Sequence, residues 1–560
     1  MLHHISQRQK VIVMLAVMSG LFLVALDQTI ISTALGRIVE EFNSFSSLSW
    51  VVTAYMLTST VTVPIAGKLS DLFGRRPVLM VGVALFTLAS LLSGSSGSIE
   101  QLIIFRALQG FGAGIIMANA FTIVGDLFSP RERGKWQGLI GAVFGLSSVI
   151  GPLLGGYLTD PHNLLGLTTN WRWTFWLNVP VGLASFLVIS RYAPNIKHAA
   201  KHRIDYLGAG LLALALSSLI LAVDNTDKIF SGLISGGTSL EAIRLSLYSI
   251  FILATAAFIY VEGRVAQPII SLKFFKNRTF TTIMAVALLF GAAFLGAILY
   301  LTQFNQQVFG ANATEAGLML LPMIIGLSGS AAITGQLVTK TGKYKRFIMG
   351  GFVIATTAMF ALTTLTPESP YWHEAVIMFF AGLGLGAGMP IINLAVQNEF
   401  EQKDLGAATS ASQLFRGLGS TIGTAVLGTL LTTGVTSQIG NLQNDPYIQT
   451  LQKQPQSAQM LSSLNVDTAL LLNMHDTKSK ITDGLTTATS KLPEEVREKV
   501  VGDFTAKQES YSDKIIHAFS ASLRNVFLTS GILMLSATLI TLGIKEKPLR
   551  GGHDDTPGVA

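Results

Sequence analysis

The chain has no cysteine and little charge: Asp, Glu, Lys and Arg make up 13% of its 560 residues. Without thiols there is no disulfide framework and no thiolate metal site, and cysteine usage gives no sign of the compartment. Soluble domains carry about 25% charged residues, so composition argues against a soluble enzyme or a nucleic-acid-binding protein. Counting glycine and omitting tyrosine, about 58% of the residues are apolar. That exceeds the ~45–50% of soluble domains and excludes disorder for most of the chain. Catalytic signatures are missing too. There is no GxxxxGK[ST] run to cradle the phosphates of ATP and no HExxH pair for zinc. GFGAG and GLGLGAG look like a dinucleotide fingerprint, but they lie inside apolar helical runs and follow no strand. No catalytic residue, cofactor or metal site is expected.

What the chain does have is long apolar runs. About 20 such residues span the ~30 Å hydrocarbon core as a helix. Fourteen runs occur, near 11–35, 47–67, 77–95, 99–125, 134–159, 171–192, 204–223, 244–263, 279–303, 314–338, 344–365, 372–398, 405–433 and 522–544. The first is too long for a removed signal peptide. With the N terminus placed inside, 24 Lys and Arg fall on inner segments and 4 on short outer loops. Positive charge marks the cytoplasmic side, so both termini read as cytoplasmic in a cell membrane. The formal charge of +7 therefore reports topology.

The polar stretch 434–521 lies outside. Its second half begins LPEEVREKVVGDF, where Pro493 suits a helix start and Glu494 and Glu495 suit the positive end of a helix. Val496, Val500, Phe504 and Tyr511 follow a helical period. The reading is a helical extension feeding the last span, with a flexible tether as the alternative.

The sequence repeats itself. GFGAGIIMAN in the fourth run returns as GLGAGMPIIN in the twelfth, and GLSSVIG in the fifth returns as GLGSTIG in the thirteenth. GKLSDLFGRRP after the second has a degenerate copy, GQLVTKTGKYK, after the tenth. The offsets are nearly constant, so six spans recur after eight. The expected fold is an all-α integral membrane protein: two six-helix bundles plus two inserted helices. Residues 1–192 form the first bundle and 193–263 the inserted pair. A cytoplasmic linker covers 264–278. The second bundle is 279–433 with 522–545, and a cytoplasmic tail covers 546–560. Two related bundles suit a midplane site with alternating access.

Ionisable groups in hydrocarbon are costly, so each needs a reason. Asp27 is the only acid deep within a run as these boundaries fall. It lies about 12 Å from the outer end of its run, and Arg106 about 10 Å from the outer end of the fourth, at 1.5 Å per residue. They match in depth and can pair, either as a proton-coupling switch or as a permanent brace between helices. Arg416 falls near the midplane. It can pair with Asp27 in one state, face an anionic headgroup, or bond helix carbonyls. Gln109, Asn119, Gln303, Asn305, Asn393, Gln397 and Gln413 are candidates for lining the cavity or for interhelical hydrogen bonds. At the inner face, Asp71 and Arg75 flank a tight turn and Asp126 ends the fourth run nearby. Such a cluster can hold the two halves together, or it can simply set topology.

These residues resemble the major facilitator superfamily over nearly the whole chain, the 434–521 loop excepted. Gly67-Lys-Leu-Ser-Asp71-Leu-Phe-Gly74-Arg75-Arg76 resembles its inner-loop motif. Arg106-Ala-Leu-Gln-Gly110 resembles the fourth-helix arginine motif tied to proton coupling. Gly145 through Gly151-Pro152-Leu-Leu-Gly155-Gly156 resembles the antiporter motif. Leu26-Asp27-Gln-Thr-Ile-Ile-Ser-Thr-Ala-Leu35 is similar to the first-helix motif of the 14-helix drug–proton antiporters, among them the quaternary-ammonium exporters. The resemblance implies multidrug export driven by inward proton movement, with lipophilic or amphipathic small molecules, protons and the bilayer as partners and a monomer as the working unit. One departure stands out. Cation exporters of this branch carry further acids in the tenth or thirteenth helix, whereas here those runs hold only the end residue Glu315 and the thirteenth holds Arg416. That departure favours neutral, monovalent or amphiphilic cargo, and keeps lipid or glycolipid export and a non-transporting scaffold as alternatives.

Overall fold

The computed structural model describes residues 6–42, 48–159, 162–164, 166–194, 205–223, 226–439, 444–452, 466–490 and 492–549. Among them, fourteen helices are long and apolar enough to cross a membrane. In the first half these are α1 (Gln7–Phe42), α2 (Leu48–Phe73), α3 (Arg75–Gly94), α4 (Ile99–Leu127), α5 (Pro130–Thr159) and α6 (Asn178–Tyr192, whose crossing segment begins at Trp173). The inserted pair is α7 (Tyr206–Val223) and α8 (Leu240–Glu262). The second half holds α9 (Arg278–Gln307), α10 (Leu321–Thr341), α11 (Lys345–Ala361), α12 (Tyr371–Glu399), α13 (Leu405–Ile439) and α14 (Glu494–Thr541). A two-residue hairpin, Asn163–Leu164 against Leu167–Thr168, is the only sheet among the described residues.

Backbone polar groups cannot be left bare in hydrocarbon, which is why apolar runs become helices there. Their ends follow ordinary capping chemistry. Ser98 accepts from the Gln101 N–H at the start of α4, Ser239 does the same for Ala242 at α8, and Asn277 caps α9. Gly74, at φ 99°, makes the tight turn from α2 to α3, a backbone state only glycine adopts without strain.

The sequence repeat is visible as a repeat of packing. In the first half α1 packs on α5 and α6, and α4 on α2 and α3, while α3 meets α6. In the second half α9 packs on α13 and α14, α12 on α10 and α11, and α11 meets α14. The halves meet symmetrically as well: α5 lies along α10, and α13 along α2. Helices α7 and α8 pack on each other and touch the body through α7. Helix α8 leaves Leu245, Ile252 and Leu253 exposed by 64–70%, as a lipid-facing helix should.

The extension has its own core. Short helices Pro446–Gln452, Val466–Asn473 and His475–Ala488 pack against the first half of α14. Tyr447, Ile448, Leu451, Leu472, Phe504 and Tyr511 are buried there. The Gln508 amide donates to the Tyr447 hydroxyl at 3.0 Å, and the Tyr511 hydroxyl to the Ala469 carbonyl at 3.0 Å. Asn473 ties this unit to the end of α9, donating to the Gln307 side chain at 2.9 Å. Within the expected stripe Val496, Val500, Phe504 and Tyr511, only the last two are buried. The helix outruns the short helices that cover it, so Val496 and Val500 stay exposed.

Candidate functional site

The helix ends carrying most of the Lys and Arg lie on one side, here termed the basic face; the extension sits on the opposite, far face. Midway between them, α1, α3, α4 and α6 enclose one polar cluster. The Arg106 guanidinium lies 2.5 Å from the Asp27 carboxylate, and both are 1% exposed. The Gln109 amide donates to the other Asp27 oxygen at 2.8 Å, and Asn178 donates to that oxygen at 3.3 Å. Ser90 accepts from both amides and donates to the Phe175 carbonyl. Arg106 also bonds the Val51 carbonyl and lies over the Tyr55 ring, 4.2 Å from its centroid. Every partner here compensates a buried charge, which is what makes the pair tolerable in this setting. Thus Asp27 and Arg106 meet, as their depths predict. Gln109 belongs to this sealed cluster, so its place is among the ion-pair partners and not on a cavity wall. Asn178 and Ser90 escaped the sequence reading, because nothing local marks a side chain that reaches a carboxylate on another helix.

The inner-face trio also meets. Arg75 bridges Asp71 and Asp126 at 2.6 Å each, all three buried. Asp71 does more: it accepts from the Gly406 N–H at 3.2 Å and the Ala407 N–H at 2.9 Å. These are free N–H groups in the first turn of α13, at the positive end of its dipole. One carboxylate therefore joins the two halves.

Other bonds between halves gather at the same face. Arg131 donates to the Thr339 and Lys340 carbonyls, Arg133 to the Gln397 carbonyl, and Gln397 to the Phe121 carbonyl. Gln397 thus joins the halves and does not line a cavity. Glycines let α5 approach: a side chain at Gly145 would meet Ser328 of α10, and one at Gly151 would meet Thr29 of α1. Gly155 is buried and Gly156 half-buried, while the side chain of Pro152 lies outside the described residues.

The remaining candidates divide. Asn119 is buried and donates to the Ile115 carbonyl of its own helix. Its packing removes it from any open chamber. Asn393, Gln413 and Arg416 form a chain: Arg416 donates to the Gln413 carbonyl oxygen at 2.7 Å, and the Gln413 amide to Asn393 at 2.7 Å. Gln303 and Arg416 keep part of their surface exposed, and Gln28 of α1 is exposed outright. Asn305 is buried against Glu374, and its amide, turned so that the nitrogen faces the acid, donates to both carboxylate oxygens at 2.9 Å. Glu374 is wholly buried in α12. It is a further buried acid, one turn inside the helix end and so not deep within its span as Asp27 is. As the third residue of its predicted run, Glu374 looked like an end group.

A family profile for the Major Facilitator Superfamily matches residues 17–424. A multidrug transporter protein of Bacillus subtilis, MdtP, is 36% identical over 455 residues, covering 81% of each chain. Multidrug resistance protein 3 of the same organism is 36% identical, over 77% of this chain and 81% of that one. An MFS-type transporter of Mycobacterium tuberculosis is 33% identical across 98% of this chain and 72% of its own length. Among solved structures, the proton:xylose symporter XylE superposes with a TM-score of 0.57 at 13% identity, covering 96% and 97% of the two chains.

Proposed function

Since the chain belongs to the Major Facilitator Superfamily, and is a multi-span membrane transporter, we propose that it is a proton-coupled antiporter. It exports hydrophobic or amphipathic compounds by alternating access. The observation that carries this reading is the sealed cluster around Asp27. A proton reaching Asp27 removes the negative charge that holds Arg106, and Arg106 then rests on Gln109, the Val51 carbonyl and the Tyr55 ring. Making and breaking that pair converts proton movement into helix movement between α1 and α4. With the basic face cytoplasmic, as the positive-inside bias requires, the bonds from Asp71, Arg131, Arg133 and Gln397 close the inner side. This arrangement faces outward, ready to release cargo and accept a proton. The names of the Bacillus relatives support small lipophilic drugs as cargo.

The test is efflux from proteoliposomes under an imposed pH gradient. Wild type should export a lipophilic dye only with the gradient, and Asp27→Asn should not respond to it. Gradient-driven export surviving in Asp27→Asn would remove the proton role. A second reading, export of a lipid or glycolipid, is favoured by the extension, which forms a folded unit beside the far end of the bundle. Deleting 440–515 separates the two: lost lipid movement with intact drug export would favour lipid work.

A further inference from the structure

Arg416 stands apart from the other deep charges. It lies 11 residues into α13, about 17 Å along the helix from the basic end. Its side chain is half-buried, whereas Asp27, Arg106, Arg75 and Asp126 are all buried and paired. Its contacts are neutral: the Gln413 oxygen at 2.7 Å and the Met389 thioether at 3.7 Å. Its Nε is buried with no partner, and no carboxylate lies within ion-pair distance among the described residues. Guanidinium carries five N–H donors and does not lose its proton, so most of its bonding capacity is unspent. The turn it occupies confronts the other half: a Cβ at Gly417 would sit 4.0 Å from the Thr60 methyl of α2. The Arg106 charge in the other half is already cancelled by Asp27. The seam between the halves therefore carries one unmatched positive charge at mid-depth, beside the Met389 thioether.

Building on the transport reading, we infer that Arg416 is the anchor of a cargo site selective for amphiphiles bearing a single anionic group, a carboxylate or a phosphate. The guanidinium fork matches both groups in a two-point contact. Gln413 and Asn393 hold the fork in place, and the apolar body of the cargo lies against Met389 beside it. A quaternary ammonium, by contrast, meets like charge there, and a neutral ester forfeits the ionic contact. Charge-assisted hydrogen bonds are worth about 1.5–3 kcal/mol, so the acid should be favoured by at least about tenfold.

The experiment uses the full chain in phosphatidylcholine nanodiscs and three dansyl-labelled alkyl probes of equal length, ending in a carboxylate, its methyl ester and a trimethylammonium group. Dansyl fluorescence should show the acid binding about tenfold or more tighter than either analogue. Arg416→Gln should bring the three together, and Arg416→Lys should retain part of the preference. Equal binding of the three by wild type, or an unchanged preference in Arg416→Gln, would overturn the site. So would displacement of the acid by chloride alone, which would mark an inorganic-anion site. Nanodiscs doped with phosphatidic acid identify the source within the class: competition points to a lipid headgroup, and its absence to a free amphiphile. Gradient-driven efflux of the methyl ester by wild type is measured in parallel. If it proceeds while acid preference is absent, the site fails and the transport reading stands.

Discussion

Asp71→Asn probes how strongly the basic face is held shut. The substitution keeps the shape of the side chain but removes the charge that accepts the Gly406 and Ala407 N–H bonds from the other half. Hydrogen bonds to charged groups contribute about 1.5–3 kcal/mol and neutral ones about 0.5–1.5 kcal/mol. The two N–H groups meet different oxygens of Asp71 and Asn has only one, so two charged bonds give way to one neutral bond, at a cost to the closed state of about 2.5–4.5 kcal/mol. The bridge from Asp71 to Arg75 lies inside one half and is lost equally in both states, so it cancels. At 1.4 kcal/mol per decade, the equilibrium moves toward an open basic face by roughly 60- to 1,600-fold. The absence of cysteine makes the assay direct: Lys135→Cys in α5 and Arg346→Cys in α11 place two spin labels at exposed positions on opposite halves. Electron–electron distance measurements should show a longer population in Asp71→Asn than in the labelled parent. An unchanged distance distribution would refute the argument that this carboxylate clamps the halves.

Gly335→Val should lengthen the same distance with Asp71 intact, because its side chain would run into the Gly134 carbonyl of α5. Arg106→Gln alone should lower Tm by leaving the Asp27 charge buried and alone, at a cost of about 3–5 kcal/mol; adding Asp27→Asn should restore part of it, and additive losses would argue against a coupled pair. Tyr447→Ala should unfold the extension, since truncating a large aromatic in a core costs about 3–5 kcal/mol and this core is small; hydrogen exchange should rise across 466–490 while α1–α13 keep their protection. The extension should also respond to pH in two opposite ways. Burial holds the Lys478 ammonium below the ordinary lysine value, against the pull of Asp513. The folded unit binds fewer protons there than the unfolded chain, so its protection factor, measured against the intrinsic exchange rate at each pH, should rise as pH climbs toward that value. Burial raises the Tyr447 phenol instead, so above about pH 10 the unfolded chain sheds a proton the folded unit keeps and protection should fall. Lys478→Met should remove the first slope and leave the second.

The layout of the membrane part was legible because bilayer thickness imposes run length and duplication imposes offsets. GFGAG and GLGAG sit on α4 and α12, which make matching contacts in the two halves. The Asp27–Arg106 meeting was legible from matched depth, which set Arg106 apart from Arg416, a deep base nearer the midplane. Gln109, Asn178 and Ser90 were different. A neutral amide carries no energetic alarm, so its assignment to cavity or cluster depends on helix rotation, which composition does not encode. Glu374 was hidden by its position: a carboxylate at the start of an apolar run reads as solvated, until the neighbouring chain folds over it. Asp71 was seen as part of a charge cluster, but its grip on the first turn of α13 joins residues more than 300 positions apart.

Helix α14 is continuous for 48 residues, about 72 Å at 1.5 Å per residue. Its lower part is embedded among α9, α11 and α13, and its upper part is the spine of the extension. A rod of that kind cannot leave its tip behind when its foot tilts. With some 57 Å between bilayer centre and tip, each degree of tilt sweeps the tip sideways by about 1 Å. The extension is thus mechanically continuous with the second half of the transporter, and any tilt of that half within the membrane reappears, enlarged, beyond the lipid.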